Sequence, residues 1–135
     1  MVSTRFDRIA LFGKLGDSAT QPEFWARVSD DVEWTVLGTH PLAGSYHSKD
    51  EFLHSTFARL AGVLAGGVKL EVKHLYIDGD VTIAELHSVS KTNEGANFTN
   101  DYCWVCRFGG DLIIDVRAYL DSMMVAYTIL HNEVH

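Results

Sequence analysis

The clearest alternation of apolar and polar positions runs through residues 100–121, NDYCWVCRFGGDLIIDVRAYLD. Two runs of strand-forming residues flank Gly109-Gly110-Asp111, the composition of a hairpin with a short glycine loop. Successive strand side chains point to opposite faces. Asn100, Tyr102, Trp104, Cys106 and Phe108 therefore share one face, with Asp101, Cys103, Val105 and Arg107 on the other. In the second run Val116, Ala118 and Leu120 oppose Asp115, Arg117 and Tyr119. A long hairpin with aromatics and an amide on one face is suited to line a cavity.

Upstream the period changes. Phe6, Ile9, Ala10 and Gly13 make a helical stripe over residues 3–15, with Gly16 as the stop. A second helix starts near Thr20, where Thr20 and Glu23 have capping-box spacing, Pro22 sits in the first turn, and Phe24, Trp25 and Val28 supply apolar surface. Residues 31–36 read as a strand and 38–46, GTHPLAGSY, as a loop. Ser48 and Glu51 repeat the capping-box spacing and open a third, long helix. Its apolar face is Phe52, Thr56, Phe57, Leu60 and Leu64, and Gly66-Gly67 end it. Strands follow over 68–77 and 81–90 around a tight Asp78-Gly79-Asp80 turn, then a polar loop and the long hairpin. The order is helix, helix, strand, helix, then a four-stranded antiparallel meander. This is an α+β arrangement in one domain over residues 1–135, with the third helix covering one sheet face.

Composition narrows the function classes. The chain has 135 residues, 47% of them hydrophobic and 21% charged, which describes an ordinary globular protein. A formal net charge of −7, with scattered Lys and Arg, argues against nucleic acid as a partner. No run approaches the ~20 apolar residues of a membrane span, and the N-terminus lacks the apolar core of a signal peptide. No membrane association and a cytoplasmic location are the expectations. Cys103 and Cys106 have C-x-x-C spacing, but inside a strand pattern they face opposite ways and read as reduced, small hydrophobes. The histidines are too scattered for a metal site, which needs three or four convergent ligands. No metal or cofactor is expected.

The element order and three segments, DDVEW at 30–34, THPLAGSYHSKDEF at 39–52 and RFGGDLIIDVRAYLD at 107–121, resemble the nuclear transport factor 2-like superfamily. Within it the chain is similar to the SnoaL-like proteins related to ketosteroid isomerase. The resemblance implies a cone-shaped, strongly curved sheet wrapped by helices, with a pocket between them, and a homodimer. Members include isomerases, epoxide hydrolases, polyketide cyclases, dehydratases and non-catalytic binders, so the fold alone does not assign a reaction. The positions matching the isomerases' helix tyrosine, strand acid and base hold Ile9, Trp104 and Trp34. Those matching the arginine and two aspartates of limonene-type epoxide hydrolases hold Leu86, Ser88 and Ala118. Neither activity is expected, because the acid–base groups of both are replaced.

The candidate site follows. Trp34 and Trp104 are placed in the pocket, to enclose a flat apolar ligand, or alternatively to fill the core. Tyr102 and Asn100 share that face and offer a hydroxyl and an amide; the competing reading is hydrogen bonding to nearby backbone. By alignment, Ser88 and Ala118 also face the pocket. His40 is the leading acid–base candidate, in a loop expected at the pocket mouth, against an ordinary loop histidine. Asp121 is a second acid or, alternatively, the cap of a short helix over residues 122–130. His74, Glu85 and His87 belong to the outer sheet face. The expected partner is a small apolar or aromatic molecule. Cofactor-free isomerisation, cyclisation or dehydration competes with a purely binding or structural role.

Overall fold

The structure is a computed structural model describing residues 5–132. It opens with α1 (Arg5–Gly13), a 3-10 turn (Lys14–Gly16) and α2 (Gln21–Trp25). Then come β1 (Val28–Val36), β2 (Gly44–Tyr46), α3 (Lys49–Ser55), α4 (Phe57–Val63) and β3 (Leu64–Ala65). The chain continues through β4 (Glu71–Asp78), β5 (Val81–Thr92), β6 (Asn97–Gly109), β7 (Leu112–Leu120) and α5 (Ser122–Asn132). One curved sheet runs β2-β1-β7-β6-β5-β3, with β4 also paired to β5. Its neighbours are antiparallel except β1 and β7, which run parallel. No helix among the described residues is long and apolar enough to cross a membrane.

The hairpin alternation sets the inner face of the sheet. Asn100, Trp104, Cys106 and Phe108 are buried, with Val116 and Ala118 across the ladder, where Trp104 pairs with Ala118. Between the pairs Arg107–Asp115 and Phe108–Ile113 the register shifts. That bulge lets Ile113 and Val116, three apart, both point inward.

Three sequence expectations need correction. In α1 the buried side chains are Arg8, Leu11 and Phe12, whereas Phe6 is 82% and Ile9 46% exposed. The buried face centres on Leu11 and Phe12, and the cost of including Arg8 is offset by distant partners. Its guanidinium donates to Thr82 Oγ1 at 2.9 Å and lies 4.4 Å from the centre of the Phe108 ring. Ile9 therefore points away from the interior, and the position matched to the isomerases' tyrosine does not enter the pocket. The long third helix is instead two, broken at Thr56, where φ is −124° and ψ is −79°. The Thr56 hydroxyl folds back to donate to Phe52 O at 2.7 Å, the competition with helical continuity that threonine offers. The Thr20 cap does not form either: its hydroxyl donates to Lys14 O at 2.7 Å. The Ser48 cap does, accepting from Glu51 N at 3.0 Å.

Candidate functional site

A cavity lies between the inner sheet face and the α3–α4 pair. β1 supplies Trp34 and Val36, β6 supplies Tyr102 and Trp104, and β7 supplies Ala118 and Leu120. The helices cover them with Phe52, Thr56, Phe57 and Leu60, while His40 and Leu42 come from the loop after β1 and Val125 from α5. The cavity volume is about 40 Å³, and the empty space including its open mouth is about 450 Å³. The smaller figure is room for roughly two or three waters. Small-molecule sites enclose ~300–1,000 Å³, so a ligand of that class requires the cavity to widen.

Among the described residues, no lysine, arginine, aspartate or glutamate contributes to the lining. Its aromatic part is a connected set of rings. Trp34 stacks on Phe52 with centroids 4.0 Å apart and meets Trp104 edge-on at 5.0 Å. Trp25 packs against Trp34 at 5.7 Å from behind. Such offset and edge contacts follow from the ring quadrupole.

The polar groups of the wall are His40, Thr56 and Tyr102. His40 is held at both nitrogens by backbone. Leu42 N–H donates to Nδ1 at 3.2 Å, so the ring proton sits on Nε2, which donates to Leu37 O at 3.2 Å. Burial lowers the His40 pKa below its ordinary 6.5, against an upward pull from the Leu37 carbonyl. The folded state thus resists protonation. As pH falls below about 6.5 the unfolded chain takes up that proton first, and stability declines. Urea unfolding at pH 7.5 and 5.5 should show a steeper loss in the wild type than in His40→Asn, which keeps an acceptor for Leu42 N–H but does not titrate. Equal slopes would contradict this protonation assignment.

Tyr102 contacts Ser88 Oγ through its hydroxyl at 3.3 Å, and burial pushes its pKa up to about 12. It is a donor, not a base. Asn100 sits behind it with its amide committed: Oδ1 accepts from Asp121 N at 3.0 Å and Nδ2 donates to Asp121 O at 3.4 Å. Ser88 and Asn100 thus back the wall without lining it. The Asp121 carboxylate accepts from Met123 N at 3.1 Å and Met124 N at 3.2 Å, the capping arrangement for α5.

One polar atom stands apart. Trp34 is 1% exposed, and its Nε1–H has no hydrogen-bond partner among the described residues.

Of the sequence candidates, Trp34, His40, Tyr102, Trp104 and Ala118 meet at this cavity. Ser88 and Asn100 stand one layer out, and Asp121 lies at the base of α5. On the outer sheet face His74 pairs with Glu85 at 3.1 Å and His87 with Asp101. Phe52, Thr56, Leu60 and Val125 were not among the site candidates. The helical stripe after Ser48 carried the first three, but as core positions; α5 gave no such signal.

No protein-family model matches the chain. Two curated relatives are similar to it. The dimerizing cyclase phiC of a fungal species is 31% identical over 111 residues, 79% of this chain and 49% of the relative. The dimerizing cyclase tstC of Talaromyces stipitatus is 29% identical over 108 residues, 77% and 48% respectively. The chain spans about half the length of the curated relatives it matches. Among solved structures, an NTF2-like protein from Burkholderia thailandensis superposes with a TM-score of 0.78 at 23% identity, covering 95% of this chain and 98% of that one. A hypothetical protein with a ketosteroid isomerase-like fold from Catenulispora acidiphila, solved in complex with trimethylamine, gives 0.70 at 13% identity, with 93% of each chain covered. A protein of unknown function with a cystatin-like fold, from Xanthomonas campestris, gives 0.70 at 17%, covering 93% and 98%. With its curved sheet, covering helices and intervening cavity, this chain has the NTF2-like, ketosteroid isomerase-like fold.

Proposed function

We propose that this chain is a SnoaL-like protein that takes a small, largely apolar molecule into the aromatic-lined cavity and cyclises it without a cofactor. The observation carrying this reading is the cavity wall itself: concave, rich in aromatic rings and, among the described residues, free of charged side chains. Such a wall binds by removing apolar surface from water, and it holds a flexible chain in a folded conformation. The similarity to two dimerizing cyclases supports the reaction class. Among the described residues the wall carries no carboxylate to act as the base of steroid isomerase-type chemistry. Confinement supplies most of the effect, with the Tyr102 hydroxyl as a donor and His40 as the group that titrates nearest neutrality.

A non-catalytic binder of the same fold is the second reading. It is favoured by His40, whose nitrogens are both engaged with backbone. Loss of cyclisation in His40→Asn with binding retained would support catalysis through this residue.

The binding claim is tested by tryptophan emission. An apolar aromatic ligand entering the cavity should change the emission, and Trp104→Ala should weaken its binding by roughly 0.5–1.5 kcal/mol through lost stacking. Ligands whose binding leaves emission and the variant's affinity unchanged would place the pocket elsewhere.

The partner copy we propose docks on the outer sheet face. Tyr76, Val89 and Tyr119 are 55%, 71% and 45% exposed there, among the polar His74, Glu85 and His87. An interface of ~800 Å² per protomer needs such a mixture. Light scattering should give a dimer mass at micromolar concentration and a smaller one for Tyr119→Lys. A monomer mass for the wild type would contradict the proposal.

A further inference from the structure

Trp34 poses a chemical puzzle that the apolar character of the cavity does not solve. A buried indole N–H ordinarily finds an acceptor, because leaving a donor dry and unpaired is unfavourable. Here the donor is sealed from water with no partner among the described residues. The ring cannot turn to find one: Phe52 stacks on it, Trp104 abuts it edge-on and Trp25 backs it. The other polar groups around the cavity have what they need. His40 is bonded at both nitrogens, the Thr56 hydroxyl donates to Phe52 O, and Tyr102 meets Ser88. Were this position purely core, phenylalanine would fill much of the same space without an unpaired donor.

We infer that the ligand of this cavity is a neutral, mainly apolar molecule bearing an oxygen acceptor (a ketone, ester or ether) that takes the hydrogen bond of the Trp34 indole N–H. This rests on the binding reading given above and specifies its ligand. An anion would find no cationic side chain in the wall and lose its hydration. A small ammonium ion would be drawn to the aromatic faces, yet it would meet a donor and no carboxylate. Only a neutral acceptor satisfies the N–H without stranding a charge. The ring stacked on Trp34 is Phe52 of α3, the short helix that ends at the Thr56 break, and ligand entry requires that ring to move aside.

The test uses the intact chain, ¹⁵N-labelled, and three probes: cyclohexanone, its near-isostere methylenecyclohexane, and tetramethylammonium. The three tryptophans give three indole N–H resonances, and Trp25→Phe and Trp104→Phe assign that of Trp34 by elimination. Cyclohexanone should bind ~3–10-fold more tightly than methylenecyclohexane, the ratio one net hydrogen bond provides. It should also shift the Trp34 indole proton downfield. Trp34→Phe should retain binding and lose the preference; if that variant does not fold, the wild-type comparison decides. Equal binding of ketone and olefin with the Trp34 resonance unmoved would overturn the inference while leaving an apolar cavity standing. Tighter binding of tetramethylammonium than of the ketone would overturn it as well. Binding of none of the three would remove the cavity reading and this inference together.

Discussion

Replacing Trp34 by alanine is expected to cost ~3–5 kcal/mol of folding stability, the range for truncating a large buried aromatic. Trp34 is 1% exposed and sits in the middle of β1, aligned with Tyr46 on one side and Val116 on the other. Its ring contacts Trp25, Phe52 and Trp104, so truncation removes three aromatic contacts and opens a void beside an existing cavity. For a chain of this size total stability is of order 5–15 kcal/mol, so the variant should be largely unfolded near body temperature if it starts at the low end. Urea denaturation followed by circular dichroism should show a lower midpoint at unchanged slope. A loss below about 1 kcal/mol would mean that the rings pack loosely and that the cavity wall is not the rigid surface described here.

The second large effect is expected at Gly38. Its φ of +120° is a conformation that side chains with a Cβ rarely adopt. A Cβ there would lie 2.2 Å from Ser122 Oγ and 2.9 Å from His40 Cδ2. The serine hydroxyl can rotate away, but the His40 ring is fixed by Leu37 and Leu42. Gly38→Ala should therefore cost ~1–3 kcal/mol from the backbone alone, more with the displaced imidazole. Because Gly38 lies between the His40 ring and Ser122 at the start of α5, ligand affinity should fall along with stability. An alanine variant with wild-type stability and affinity would show that this loop does not hold the cavity mouth.

How far the sequence foretold this structure depends on the range of the forces involved. The hairpin of β6 and β7 was legible because alternation is local: Trp104 and Ala118 fall on the inner face by parity alone. The Ser48 cap was legible for the same reason, since donor and acceptor lie three residues apart. The buried face of α1 was not, because it depends on Arg8 meeting Thr82 and Phe108, far along the chain. Thr56 looked like a member of a continuous helical stripe, and only the back-bonded hydroxyl shows the break. The parallel pairing of β1 with β7 had no local signature either. At the cavity, the aromatic residues could be placed by face. That the Trp34 N–H lacks an acceptor among the described residues depends on what every neighbouring segment brings near it, and no stretch of sequence carries that information.

The central claim, that a small apolar molecule occupies the space between the sheet and the α3–α4 pair, is tested most directly by a crystal structure determined with cyclohexanone bound. The ring should lie against Trp34, Phe52 and Trp104, enclosed by Leu60 and Ala118, with the cavity widened by a shift of α3. Cyclohexanone bound only on the outer sheet face or along α5, with the aromatic cluster closed and unchanged, would contradict it.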